Sequence, residues 1–162
     1  MKEAKSSKED RPYKVYAIQE GVVIDHIPAM KAFKVINVLG LNRKANIGEG
    51  IITLGVNLDS KLSGKKDVVK IEKKNLTEDE LNRLVLVAPK ATVNIIKAGK
   101  VYEKREIEFP EMFEGLIKCS NPKCITNHQP VKTIFYSQGR INPSVKCHFC
   151  EKVFELDEVE LI

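Results

Sequence analysis

Four cysteines constrain this chain more than any other feature, and all of them lie in its last 44 residues. They form two close pairs, C-x4-C in "KCSNPKC" (Cys119, Cys124) and C-x2-C in "KCHFCEK" (Cys147, Cys150), with 22 residues between them. Short loops let two sulfurs of a pair reach the same ion, and the insert brings the second pair around as a β-ribbon. A segment this short makes a thin core by itself. Zinc bound to such thiolates contributes roughly 10–16 kcal/mol of apparent binding energy, most of it usable for folding. The C-terminal segment is therefore predicted to be a small all-β zinc-ribbon or rubredoxin-like domain holding one structural Zn²⁺. A Cys147–Cys150 redox pair would leave Cys119 and Cys124 unexplained, whereas iron in a rubredoxin-like four-thiolate site fits the same spacing. His128 and His148 are spare once four cysteines ligate, and both read as surface residues.

The preceding residues pattern differently. "YKVYAIQEG" alternates as a strand, and "VVIDHI" continues or pairs with it. Pro28 suits the first turn of a helix, "AMKAFKVINVLG", with Met30, Phe33, Ile36 and Val38/Leu39 near one face and Gly40 ending it. "NRKANIGEG" reads as a loop, "IITLGVNL" and "KKDVVKIEKK" as strands about a turn at "DSKLSG". Thr77 and Glu80 form a capping box for a helix that runs to about Ala88 and stops at Pro89. "ATVNIIK" and "VYEKREIEF" make a final hairpin about "AGK". The order β(β)αββαβ(β) predicts an α+β, ferredoxin-like domain, two helices covering one face of an antiparallel sheet. A boundary is expected near "FPEMFEG", dividing 1–110 from 111–162.

Charge follows that division. Residues 1–110 carry 21 Lys/Arg against 15 Asp/Glu, residues 111–162 carry 6 against 7. A basic excess confined to the first part suits an anionic ligand there. The ribbon is slightly acidic before its thiolates are counted, the reverse of a phosphate-binding surface, so its expected partner is a protein and not nucleic acid. No apolar run approaches the ~20 residues of a membrane span, and "MKEAKSSKED" lacks the apolar core of a secretory signal. A soluble cytoplasmic protein is expected.

Catalytic signatures are missing. The chain has no G-x-G-x-x-G, Walker A, G-x-S-x-G or H-E-x-x-H motif. Asp25 and His26, side by side at a strand end, are open to a catalytic, a binding or a turn-closing role. Their Val, Ile and Pro flanks offer no further catalytic groups. A binding or regulatory protein is expected, not an enzyme.

Together, "YAIQEGVVIDHIPA", "SGKKDVVKIE", "LVLVAPKATVNII" and the cysteine pairs resemble the regulatory chain of aspartate carbamoyltransferase, over nearly the whole sequence. The resemblance implies a non-catalytic subunit of pyrimidine biosynthesis. Its N-terminal domain binds the effectors CTP and ATP in one pocket and pairs with a second regulatory chain. Its zinc domain docks on a separate catalytic chain, in an assembly of six catalytic and six regulatory chains. By the same resemblance, Asp25 accepts hydrogen bonds from the ribose hydroxyls beside His26, and the backbone of Val15, Ala17 and Ile18 on the first strand reads the base. Lys70 contacts the ribose, Asn94 and Lys104 hold phosphates, Lys66 is a further pocket lysine, and Ile96 and Val101 form walls. Asn121 and Glu151 face the catalytic chain. Gln19, Gly99 and Lys123 depart from the family pattern, the first two at the effector pocket.

Overall fold

The computed structural model describes residues 16–139 and 141–162. A five-stranded antiparallel sheet is built from β1 (Gly21–Pro28), β2 (Ile52–Ser60), β3 (Gly64–Glu72), β4 (Thr92–Lys97) and β5 (Lys100–Glu106), in the order β2-β3-β1-β4-β5. Helices α1 (Ala32–Val38) and α3 (Glu78–Val87) connect its halves, and a single turn, α2 (Lys44–Ile47), lies between α1 and β2. This is the predicted α+β, ferredoxin-like arrangement with one extra edge strand. The loop expected at "NRKANIGEG" contains α2.

Strand alternation divides the sheet's residues between two faces. Val22 and Ile24 of β1, Val69 and Ile71 of β3 and Val93 of β4 pack with Ala32, Val35, Leu84 and Val87 in one apolar core. Their neighbours Val23, Lys70, Asn94 and Lys104 lie on the opposite, helix-free face.

Helix α1 begins later than expected. Pro28 closes β1, and Met30 turns the chain at φ +68°. No capping side chain precedes the helix, so its first free amide takes a partner from elsewhere. Asp67 of β3, fully buried, accepts the Ala32 N–H at 2.9 Å through one oxygen and the Asn57 N–H at 2.8 Å through the other. Asn57, at φ +58°, sits in a β2 bulge, so one carboxylate fixes both a helix start and a strand irregularity. The buried side of α1 is Ala32 and Val35, with Leu39 just past its end; Met30 and Phe33, predicted to face inward, are exposed. Helix α3 keeps its predicted capping box: Thr77 Oγ1 accepts the Glu80 N–H at 3.2 Å, and Thr77 N–H donates to the Glu80 carboxylate at 2.9 Å.

The C-terminal segment is all β apart from a 3-10 turn at Ile125–Asn127. Strands β6 (Met112–Glu114), β8 (Ile134–Gln138), β9 (Ser144–Cys147) and β10 (Val153–Glu155) form a sheet in the order β10-β9-β8-β6. Strand β7 (Ile117–Lys118) pairs with β11 (Glu160–Leu161). Phe113, Ile117, Phe135 and Val145 pack beside the cysteines in a second core. Helix α3 serves both cores: Leu84 and Val87 enter the first, Val85 and Leu86 the second. Polar contacts also cross, from Lys31 to Asp157 at 2.5 Å and from the Arg83 guanidinium to the Ile162 carbonyl at 2.8 Å.

Candidate functional site

The helix-free face concentrates the polar side chains singled out from the sequence. Cα register runs Lys70–Val23–Asn94–Lys104 across β3, β1, β4 and β5. Directly paired residues project from the same face. Three inter-strand steps of about 4.8 Å place Lys70 and Lys104 at the two ends of a row roughly 14 Å long. Asn94 is half-buried within it and Lys104 exposed.

Asp25, two residues on from Val23 and paired with Thr92 of β4, lies on the same face at the start of a bulge against β3. Ile24 pairs with Val69 and Ile27 with Asp67, so β1 carries one residue more than β3 over this step. His26 absorbs the irregularity at φ +58°. Its N–H donates to Asp25 Oδ1 at 2.6 Å, and its ring Nδ1 meets Thr92 Oγ1 at 3.2 Å. Lys66 Nζ donates to both Asp25 oxygens, at 2.7 and 3.0 Å. Burial pushes the Asp25 carboxyl up, but the hydrogen bonds from Lys66 and His26 and their charges outweigh it, holding the group below the usual carboxylate value. Burial pulls the Lys70 ammonium down, and the Asp25 charge offsets part of that. Lys70 Nζ donates to the Tyr16 carbonyl at 2.6 Å.

Ala17 and Ile18 do not lie on a strand. Residues 16–20 run irregularly, and β1 begins only at Gly21, whose φ of +136° and contact with Ile71 leave no room for a side chain: a Cβ would stand 2.1 Å from the Ile71 carbonyl oxygen. Ala17 is exposed and Ile18 buried; Val15 lies outside the described residues. Ile96 is buried, while Val101 is 60% exposed. Gln19 and Gly99 touch: the Gly99 N–H donates to the Gln19 carbonyl at 2.9 Å.

The four cysteines converge. All four sulfurs lie within 4.8 Å of one another, with Cys119 and Cys150 at 3.7 Å and Cys124 and Cys147 at 3.8 Å. A tetrahedron with metal–sulfur bonds of about 2.3 Å has edges of about 3.8 Å, so these separations fit one central ion and are far too long for disulfides. Burial, chiefly, pushes the Cys119 and Cys147 thiols up, while hydrogen bonds from Asn121, Lys152, Cys119 and Cys147 overcome the smaller burial of Cys150 and bring it to about 7. A dication held at the centre would keep all four as thiolates. Four thiolates leave no open coordination position, which makes the site structural.

Residues around the centre fix its loops. Asn127 donates to the carbonyls of Cys119 and Asn121, at 2.9 and 2.8 Å, and Thr126 Oγ1 donates to Cys124 Sγ at 3.2 Å. Asn121 is turned inward: it donates to Cys150, and its Oδ1 accepts the Lys123 N–H at 3.3 Å. Glu151 is exposed, at φ +58°, with its N–H on the Cys147 carbonyl at 3.0 Å. His128 and His148 stay outside the sulfur cluster, bonded to the Pro122 carbonyl and Tyr136 respectively. Sequence reasoning missed Asp67, Thr126 and Asn127. The last two carry a faint signal, polar side chains two and three residues beyond a ligand cysteine. Asp67 carries only the oddity of an acid leading into an apolar strand.

An α+β domain with a polar sheet face, joined to a module whose four cysteines can close around a metal, defines a two-part protein without catalytic motifs. Comparison with known proteins specifies it. Residues 13–108 match the allosteric domain of the aspartate carbamoyltransferase regulatory chain, and residues 111–160 match the metal binding domain of the same chain. The aspartate carbamoyltransferase regulatory chain of Pyrococcus horikoshii is 51% identical over 146 residues, covering 90% of this chain and 95% of its own. That of Thermococcus onnurineus is 47% identical over the same span, and that of Bacteroides thetaiotaomicron 43% over 157 residues, covering 96% and 99%. The chain belongs to the family of aspartate carbamoyltransferase regulatory chains, and is a non-catalytic subunit with an allosteric and a metal-binding domain.

Proposed function

We propose that this chain binds the nucleoside triphosphates CTP and ATP on its helix-free sheet face and passes their effect to the catalytic chains of aspartate carbamoyltransferase, in pyrimidine biosynthesis. The register row Lys70–Val23–Asn94–Lys104, with Asp25 at the bulge beside it, carries this reading. A triphosphate of about four negative charges needs ammonium groups and polar donors, and a ribose needs an acceptor for its hydroxyls. Asp25 takes the ribose with His26 beside it, Lys70 contacts the sugar, and Asn94, Lys104 and Lys66 meet the phosphates. The backbone of Val15, Ala17 and Ile18 reads the base, and Ile96 and Val101 flank it. The division of labour falls at residues 110/111. The metal module meets the catalytic chain around Glu151 and Asn121, the effector domains pair as a homodimer, and the assembly works in the cytoplasm.

Zinc is the ion the sulfur cluster suits best: it has no redox chemistry and accepts a closed tetrahedron of thiolates. Held by Cys119, Cys124, Cys147 and Cys150, it supplies charge neutralisation and a fixed centre, one ion per chain. Calorimetry of the purified chain with CTP and ATP tests the effector reading; Asp25→Ala must weaken both by about tenfold or more. Equal CTP affinity in the variant and the parent would reject the site. Elemental analysis tests the metal: iron in place of zinc, or less than about half an equivalent of any metal in fresh protein, would overturn that assignment.

A further inference from the structure

The carboxylate assigned to the ribose is already occupied by this chain's own groups. Lys66 Nζ reaches both Asp25 oxygens, the His26 N–H is on Oδ1, and the His26 ring nitrogen lies 3.7 Å from Oδ2. An ionised carboxylate offers about four lone-pair directions, and hydrogen bonds at normal length use three of them. Two ribose hydroxyls need two. The His26 N–H is held by the bulge and cannot leave without remaking β1, so Lys66 is the donor that has to move. Its side chain is 21% exposed and that of Asp25 24%. An ammonium displaced in such a setting is poorly rehydrated and needs a new anion.

We propose that the Asp25–Lys66 ion pair is an internal competitor that makes this face selective for phosphorylated nucleotides over nucleosides. The inference rests on Asp25 being the ribose acceptor. A nucleoside must break the pair and offers Lys66 nothing in return. A triphosphate breaks the same pair and gives the freed ammonium a partner. Lys66 thereby acts on both ligands with opposite sign: it opposes the ribose and attracts the phosphates. Lys70, four residues along β3 on the same face, is held differently, by the Tyr16 carbonyl.

Calorimetry of the full chain with cytidine and with CTP tests this, on the parent and on Lys66→Met. The variant should bind cytidine about three- to tenfold more tightly and CTP about tenfold more weakly. In the same variant, NMR should show the Asp25 carboxyl titrating nearer the ordinary carboxylate value, with no ligand present. Lys66→Arg, which keeps the charge, must keep the parent's ratio of CTP to cytidine affinity. Lys66→Gln takes the place of Lys66→Met if the latter lacks the parent's circular dichroism. Cytidine binding no tighter in the neutral variants, with CTP binding still dependent on Asp25, overturns the competitor and leaves the site standing. No CTP binding, or CTP binding indifferent to Asp25→Ala, overturns the site and the competitor with it.

Discussion

Removing the Asp67 carboxylate should damage the effector domain far out of proportion to the size of the change. In Asp67→Ala, the amides of Ala32 and Asn57 lose acceptors now at 2.9 and 2.8 Å. Asp67 itself is wholly shielded from solvent. A buried donor left without a partner costs about 1–3 kcal/mol; the Ala32 amide is buried and bears that cost, whereas Asn57 is exposed and its amide can turn to water, so the change predicts a loss of roughly 1–3 kcal/mol. At a size of 150–250 residues, each kcal/mol moves the melting midpoint by about 2–4 °C, which gives a fall of roughly 2–12 °C. Asp67→Asn keeps one carbonyl acceptor and should lose about half as much. Urea unfolding at neutral pH measures the energies, and amide hydrogen exchange locates them. The Ala32 and Asn57 amides should exchange faster than those of Val69 and Ile71 on the neighbouring stretch of β3. A loss below about 1 kcal/mol, or unchanged exchange at both amides, would refute the account of how α1 starts.

Other substitutions separate the remaining roles. Lys104→Ala should weaken CTP by about ten- to a hundredfold while leaving cytidine nearly unchanged, whereas Asp25→Ala should weaken both; calorimetry reads the difference. Cys147→Ala should abolish stoichiometric metal, and mild acid should release metal from the parent, since protons compete for the same sulfurs; metal content against pH checks both. The depressed Asp25 carboxyl stabilises the fold above the unfolded-state value of about 3.9, and this contribution is lost as pH falls through the lower folded value. Asp25→Asn should therefore flatten the acid limb of the stability curve and leave stability above about pH 6 independent of pH in this respect; acid titration followed by circular dichroism measures it.

The metal centre was legible in the sequence because four sulfurs around one ion need nothing but spacing and a ribbon to join them. The capping box was legible for a similar reason: both of its partners lie within four residues. What failed depended on distant strands. "YAIQE" alternates like a strand, yet Gly21 turns the backbone against Ile71, fifty residues away, and among the described residues pairing begins only there. Pro28 and Met30 looked like the opening of a helix, but the true start is set by Asp67 across the sheet. The helix-free face was named by resemblance alone. Its register row comes from pairing among four strands, and no periodicity within any one of them reveals which residue stands opposite which.

Helix α3 turns Leu84 and Val87 toward one core and Val85 and Leu86 toward the other. Cutting the chain after residue 110 would thus leave a module with a newly wetted stripe of Val and Leu, and stripping the metal would loosen the surface that covers it. The allosteric half is not portable. Transplanted onto another protein, it would need a substitute lid over Val85 and Leu86, and a partner module could be exchanged only for one that seals the same stripe.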